Sequence, residues 1–134
     1  MGDDTLPDKF IEMLDRIETS CVRESDPIRV SGFGGGPVRW RAEREALLDG
    51  VDGDGDILDV GCANGYLLEC LMNWVEERAL RLTPHGVDRS RALIELARRR
   101  LPGHSGNFHV GNSWTWCPPR QYQCIYALYD CVPL

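Results

Sequence analysis

Residues 56–66 read Asp-Ile-Leu-Asp-Val-Gly-Cys-Ala-Asn-Gly-Tyr, and this stretch decides the fold class of the chain. The apolar residues before Gly61 predict a short buried strand, and the two glycines predict a tight turn. The apolar run that starts at Leu67 predicts a helix directly after this turn. A strand that ends in glycines and opens into a helix lets a ligand approach the backbone amides at the helix start.

The acid within this stretch limits the kind of ligand that the turn can accept. In dinucleotide-binding folds the pattern Gly-x-Gly-x-x-Gly places a pyrophosphate at the helix start. Asp59 would repel a pyrophosphate, and the third glycine of that pattern is absent because Tyr66 stands there. A carboxylate beside glycine amides suits a zwitterionic amino-acid ligand with an ammonium group. An NAD-dependent oxidoreductase therefore remains only the weaker alternative.

The stretch resembles the first motif of class I S-adenosylmethionine-dependent methyltransferases, which is an acid, an apolar residue and then Gly-x-Gly-x-Gly. The chain keeps Asp59, Gly61 and Gly65, and it has Ala63 at the middle glycine. The resemblance implies that these four residues contact the methionine portion of S-adenosylmethionine. Alanine is the smallest possible departure from the motif.

The resemblance continues at the ends of the next two predicted strands. Asp88 ends the second strand, and the resemblance implies that its carboxylate accepts hydrogen bonds from the ribose hydroxyls. Arg89 follows at a position that packs near the adenine in the family. Asn112 and Ser113 follow the third strand, where the family reads the adenine.

The fourth predicted strand is followed by Tyr129 and Asp130, which the resemblance places at the rim facing the transferred methyl group. A complete family member has a seven-stranded sheet, whereas this sequence ends after its fourth predicted strand. We therefore expect the fourth strand to be an exposed apolar edge. A homodimer formed through this strand, or another covering element, would bury it. The alternative interpretation is that the chain is truncated.

Short apolar strands that alternate with helices predict an α/β fold, a Rossmann-like parallel sheet of about four strands with covering helices. The division expected is an N-terminal helical region with a Gly-rich loop over 1–50 and a cofactor-binding domain over 51–134. The predicted elements are helices over 7–21 and 38–48, a loop over 25–37, strands over 56–60, 84–88, 106–110 and 122–128, and helices over 64–80 and 90–100.

Composition excludes several classes of partner. The chain has 134 residues, 43% of them hydrophobic, and a net charge of −6 that argues against nucleic acid as a general partner. No apolar run approaches the roughly 18 residues of a membrane span. The acidic N-terminus lacks the basic start and apolar run of a signal peptide, so a cytoplasmic location is expected.

No metal site is predicted. Acids alternate with other residues over 52–56, but the glycine and glutamate that a calcium-binding loop requires further along are missing. The six cysteines form neither a Cys-x-x-Cys pair nor a cluster with zinc spacing, which favours reduced structural thiols.

The function predicted is methyl transfer from S-adenosylmethionine to a small-molecule acceptor by in-line displacement, with the acceptor unidentified. The positively charged sulfonium is already a good leaving group, so the protein's main contribution would be to align the nucleophile. The alternative from a different class is a non-catalytic methyltransferase-like module that binds the cofactor or pairs with another chain.

Overall fold

A computed structural model of the chain describes residues 8–9, 11–13, 15–16, 25–31 and 33–128. The described residues between 8 and 16 are α-helical, as the amphipathic pattern over 7–21 predicts. Four apolar positions of that pattern lie outside the described residues: Phe10, Leu14, Ile17 and Cys21.

The described strands and helices alternate from residue 55 to residue 110, and a further strand follows without a helix before it, as predicted. In chain order the elements are α1 (Pro27–Val30), α2 (Gly36–Arg44), a 3₁₀ helix (Glu45–Gly50), β1 (Gly55–Val60), α3 (Tyr66–Glu76), β2 (Leu82–Asp88), α4 (Arg91–Arg100), a 3₁₀ helix (Pro102–Asn107), β3 (Phe108–Val110) and β4 (Cys124–Ala127).

The four strands form one sheet in the order β3-β2-β1-β4, and every neighbouring pair is parallel. This confirms the predicted Rossmann-like sheet. Because the strands are parallel, their carboxyl ends meet at one edge of the sheet, where ligands of open α/β folds bind. Asp59 of β1 lies between Gly86 of β2 and Tyr126 of β4 in the strand register.

The loop predicted over 25–37 is only partly irregular, because it contains the four-residue helix α1. The Asp26 side chain accepts a hydrogen bond from the Ile28 N–H at 3.0 Å and so caps this helix. Pro27 occupies its first turn, where the missing N–H costs nothing. An aspartate followed by proline is a helix-start signal that the Gly-rich composition of the segment hid.

The hydrophobic core lies between the sheet and the helices α2, α3 and α4. Helix α3 buries one apolar face in this core, and Trp40 of α2 joins it by donating its indole N–H to the Cys70 sulfur at 3.4 Å. The division of the chain into regions 1–50 and 51–134 stays a prediction. The four cysteines for which the structure describes the thiol are free: Cys62, Cys70, Cys117 and Cys124.

Strand β4 lies at the edge of the sheet and pairs only with β1 among the described strands. Its side chains alternate between half-buried and exposed, and Ile125 is 57% exposed. An exposed apolar side chain on an edge strand is the feature that the sequence predicts for this strand. Within the described residues, none of the helices is both apolar enough and long enough to cross a bilayer.

Candidate functional site

The turn between β1 and α3 has a left-handed backbone at alternate residues. The φ angle is +85° at Gly61, +48° at Ala63 and +75° at Gly65. Glycine adopts such angles without strain, whereas alanine does so at a cost of roughly 1–2 kcal/mol. The N–H groups of Gly61 and Cys62 both donate to the Val87 carbonyl, at 2.8 and 3.1 Å. The turn is therefore tied to the carboxyl end of β2, and Ala63 keeps a glycine-like conformation.

The two glycines of the turn have different structural roles. A Cβ atom built at Gly61 would meet no atom within 4 Å, so the space above this residue is open. A Cβ atom at Gly65 would lie 3.1 Å from the Cβ of Ala97 in α4. Gly61 thus leaves room for a ligand beside the backbone, and Gly65 allows the start of α3 to pack closely on α4.

Asp88 connects this turn to the start of α4. One carboxylate oxygen accepts the Ala63 N–H at 2.9 Å, and the other accepts the Ser90 N–H at 2.9 Å. Ser90 in turn caps α4, because its hydroxyl accepts the Leu93 N–H at 3.1 Å. The carboxylate that ends β2 therefore lies against the left-handed turn, at the edge of the sheet where the carboxyl ends of the strands meet.

Asp59 is a buried carboxylate at the end of β1. The Tyr126 hydroxyl donates to its Oδ2 atom at 2.8 Å. The pKa of Asp59 is raised to about 7, chiefly by burial and in smaller part by the neighbouring Asp88 charge, while the Tyr126 hydrogen bond and the Arg44 charge act in the opposite direction. Loss of hydration penalises the charged form of a buried carboxyl, so an ionised Asp59 would be stabilised by a positive charge beside it.

Asn112 and Ser113 lie in the loop after β3. The Asn112 side-chain oxygen accepts the Trp114 N–H at 2.9 Å, and the Asn112 carbonyl accepts the Trp116 N–H at 2.7 Å. Asn112 thus organises the loop beyond β3, and Ser113 is exposed in the same loop. The Trp116 ring lies over Gly111, where an added Cβ atom would approach it to 2.6 Å.

Arg89 follows Asp88 and donates to Asp15 in the N-terminal helical segment at 3.0 Å. This ion pair places the described part of that segment beside the end of β2. Tyr129 and Asp130, predicted at the methyl-facing rim, lie outside the described residues. The structure therefore brings the turn, Asp59 and Asp88 together and places Arg89 beside them.

Comparison with known proteins identifies the fold. No protein-family model matches the chain. It is 34% identical over 99 residues to a trans-aconitate 2-methyltransferase of Rhodopseudomonas palustris strain BisB18, a match that covers 71% of this chain and 36% of that protein. A second trans-aconitate 2-methyltransferase, from strain BisA53, is 31% identical over the same shares of both chains.

Solved structures give the same result. A Micromonospora echinaspora amino pentose methyltransferase with S-adenosylmethionine bound superimposes with a TM-score of 0.55 at 22% identity, over 72% of this chain and 39% of that one. A Thiobacillus denitrificans methyltransferase in complex with S-adenosylhomocysteine gives 0.52 at 20% identity, over 90% and 46% of the two chains. This chain has the fold of the class I S-adenosylmethionine-dependent methyltransferases. It spans about a third of the length of the curated relatives that it matches.

Within this methyltransferase fold, sequence reasoning missed three side chains near the turn. Asn64 is buried; its amide donates to the Pro27 carbonyl at 3.1 Å, and its oxygen accepts the Tyr66 N–H at 3.3 Å. It therefore caps α3 in place of Gly65, which has no side chain to do so. An Asn directly before the apolar run is a capping signal that the sequence does contain.

Arg44 and Tyr126 are the other two missed residues. Arg44 is buried, with its guanidinium 4.9 Å from the Phe33 ring centre and 5.6 Å from that of Trp40. Both act on the pKa of Asp59 although they come from α2 and β4, far from it in sequence. No local sequence pattern predicts that Arg44 or Tyr126 lies near Asp59. Among the described residues, no group of three or more His, Cys, Asp or Glu side chains is placed to hold a metal ion.

Proposed function

We propose that this chain binds S-adenosylmethionine at the carboxyl ends of β1, β2 and β3, and that the protein transfers its methyl group to a small-molecule acceptor. One observation carries the proposal: two carboxylates, Asp59 and Asp88, flank a left-handed turn with open space above Gly61. A zwitterionic ligand with a ribose matches this set of groups, because it offers an ammonium group to one acid and a diol to the other.

The residues fit the cofactor portion by portion. Asp59, Gly61, Ala63 and Gly65 would face the methionine portion, for which the open space above Gly61 provides room. Asp88 would accept hydrogen bonds from the ribose hydroxyls. The adenine would lie near Arg89, Asn112 and Ser113, which follow the ends of the next strands along the sheet.

The chain's part in the reaction would be alignment. S-adenosylmethionine, when bound, supplies a methyl group on a positively charged sulfur that is already a good leaving group. The turn and the two carboxylates would fix the direction in which that methyl group faces, and Tyr129 and Asp130 would form the rim that orients the acceptor. Correct orientation of reactants can supply about 7–11 kcal/mol of the barrier reduction, so such a site needs no nucleophilic side chain.

The acceptor is proposed to be a small molecule. The relatives support this class: two are named for methylation of trans-aconitate, and one structural neighbour methylates an amino pentose. An organic acid and an amino sugar are different compounds, so these acceptors support the class and not an individual compound. A screen of polar metabolites with labelled cofactor would identify the acceptor.

A non-catalytic binding module is the second candidate function. The exposed apolar Ile125 on the edge strand β4 favours it, because such a strand invites pairing with another chain. A homodimer through β4 is the form we propose for this candidate. Sedimentation analysis should then show a dimer that Ile125→Lys converts to a monomer, with the exposed Val38→Lys as control. A wild-type chain that stays monomeric at all concentrations would contradict it.

Thermal unfolding with S-adenosylhomocysteine, S-adenosylmethionine and NADH in parallel tests the main proposal. A ligand at about 100 times its dissociation constant adds about 2.7 kcal/mol of stability. We expect a shift with the first two ligands only, abolished in Asp88→Ala and retained in the control Asp49→Ala, whose side chain is 75% exposed. A cooperatively unfolding chain that responds to none of the three ligands would overturn cofactor binding, and a response to NADH would favour the oxidoreductase alternative.

A further inference from the structure

Tyr126 and Asp59 are direct partners across the β1–β4 pairing. They occupy the same position in the strand register, so their side chains leave the sheet on the same side. The tyrosine hydroxyl donates to Oδ2 of the carboxylate at 2.8 Å. Among the hydrogen bonds within the described residues, this is the only one made to the Asp59 side chain.

Several charged or titratable groups face Asp59 from the elements packed around it. Asp88 at the end of β2 disfavours its ionised form, and Arg44 from α2 favours that form. Cys62 in the turn is a buried thiol whose pKa is raised well above its usual value, chiefly by burial, so it stays neutral. The pKa of Asp59, at about 7, makes the unliganded site a mixture of protonated and ionised carboxyl at neutral pH.

We propose that Tyr126 is a positioning residue for the cofactor's ammonium group: its hydroxyl donates to one oxygen of Asp59 and favours the carboxylate form, which leaves the second oxygen for the ammonium. The inference rests on the proposed function. A hydroxyl that donates to an ionised carboxylate forms a charge-assisted bond, roughly twice as strong as a neutral one. Tyr126 therefore favours the form of Asp59 that attracts a cation.

Because cofactor binding is coupled to the protonation of Asp59, the role proposed for Tyr126 can be detected in the pH dependence of binding. The ammonium group binds the ionised carboxylate, so binding of the cofactor removes the proton from Asp59. The apparent affinity then falls about tenfold for each pH unit below the pKa of Asp59 and levels off above it. Removal of the Tyr126 hydroxyl raises that pKa and moves the midpoint of the profile to higher pH. A residue that only packed β4 onto β1 would leave the midpoint unchanged.

The test is the dissociation constant of S-adenosylhomocysteine, measured by calorimetry between about pH 5.5 and about pH 8. In Tyr126→Phe we expect the midpoint to rise by about one pH unit, which weakens binding about fivefold at pH 7 and about twofold at pH 8. Tyr122→Phe is the matched control, because this second half-buried tyrosine packs on His85. Its profile should coincide with that of the wild type.

A ligand control identifies the ammonium group as the partner. 5′-Methylthioadenosine keeps the adenosine and the sulfur but lacks the ammonium, so its binding should not follow the titration of Asp59. If Tyr126→Phe fails to fold, replacement of the tyrosines by 3-fluorotyrosine tests the same hydrogen bond. The expected shift of the midpoint is then in the opposite direction. The hydroxyl of 3-fluorotyrosine is the stronger donor, and the midpoint should move to lower pH.

The outcomes separate the two proposals. An unchanged midpoint in Tyr126→Phe, or an equal loss of affinity at every pH, would overturn the role of Tyr126 and leave cofactor binding intact. The same holds if 5′-methylthioadenosine shows the full pH dependence. No binding of S-adenosylhomocysteine by the wild-type chain at any pH would overturn the proposed function itself.

Discussion

Gly61 and Gly65 share a left-handed backbone, with φ angles of +85° and +75°, but their surroundings differ. An added Cβ atom meets nothing within 4 Å at Gly61. At Gly65 it lies 3.1 Å from the Cβ and 3.3 Å from the Cα of Ala97, closer than ordinary van der Waals contact. Substituting each glycine with alanine therefore separates backbone strain from crowding.

The expected losses in the free energy of unfolding follow from backbone strain and crowding. A left-handed alanine destabilises the folded chain by roughly 1–2 kcal/mol, whereas the lower entropy of alanine in the unfolded chain stabilises it by about 0.4–1 kcal/mol. Gly61→Ala should therefore lower the free energy of unfolding by about 1 kcal/mol. Gly65→Ala carries the same strain and also forces the start of α3 away from α4, which adds about 1–3 kcal/mol of overpacking. We expect a total of about 2–4 kcal/mol.

Urea unfolding measures both losses, and calorimetry with S-adenosylhomocysteine measures binding. Gly61→Ala should weaken the binding of S-adenosylhomocysteine more than tenfold despite its small effect on stability. The reason is that the added methyl group enters the space proposed for the methionine portion. In an Ala97→Gly background the additional loss at Gly65 should largely disappear. Equal stability losses in the two single variants would refute the packing argument, and unchanged affinity in Gly61→Ala would refute the assignment of the space.

Three further predictions concern the same edge of the sheet. Ala63→Gly relieves the left-handed alanine at φ +48° and should raise the free energy of unfolding by up to about 1 kcal/mol in urea. Ser90→Ala removes the cap of α4 and should cost about 1 kcal/mol in thermal unfolding, whereas the exposed control Ser105→Ala should cost nothing measurable. The pKa of Asp59 is raised from 3.8 to about 7, so the folded chain keeps a proton that the unfolded chain loses, and stability falls as pH rises through this window. Asp59→Asn should abolish that contribution, worth up to about 1.4 kcal/mol per pH unit, and unfolding at several pH values from about 4 to about 8 checks it.

The sequence was sufficient to predict the first two strands because each contains buried apolar residues and ends at its own stop signal. Gly61 and Asp88 mark the ends of β1 and β2, and the structure places both where the pattern predicts. The end of α3 was less predictable: the pattern continues to residue 80, but the helix stops at Glu76. Ala79 takes a left-handed φ of +58° just beyond, and alanine gives no sequence signal for such a turn.

The environment of Asp59 was not predictable for a different reason. Tyr126 contacts it only because β4 pairs with β1 in one register, and that register depends on packing between segments far apart in the chain. Arg44 is buried with the Phe33 and Trp40 rings against its guanidinium, and this contact too joins separate segments of the chain to the site. Local patterns carry no information on such contacts, although they identified the acid itself.

The two carboxylates at this edge connect stability with ligand binding. Asp59 is buried and Asp88 raises its pKa, so ionising both in the unliganded chain is unfavourable. The two neighbouring carboxylates do not stabilise the folded chain by themselves, whereas a bound cation would compensate the charge of Asp59. The stabilisation that S-adenosylhomocysteine confers should therefore grow as pH rises toward 8, where the free chain is weakened most by its ionised acid. In Asp59→Asn that growth should vanish, because no carboxylate is left for the ammonium group to neutralise.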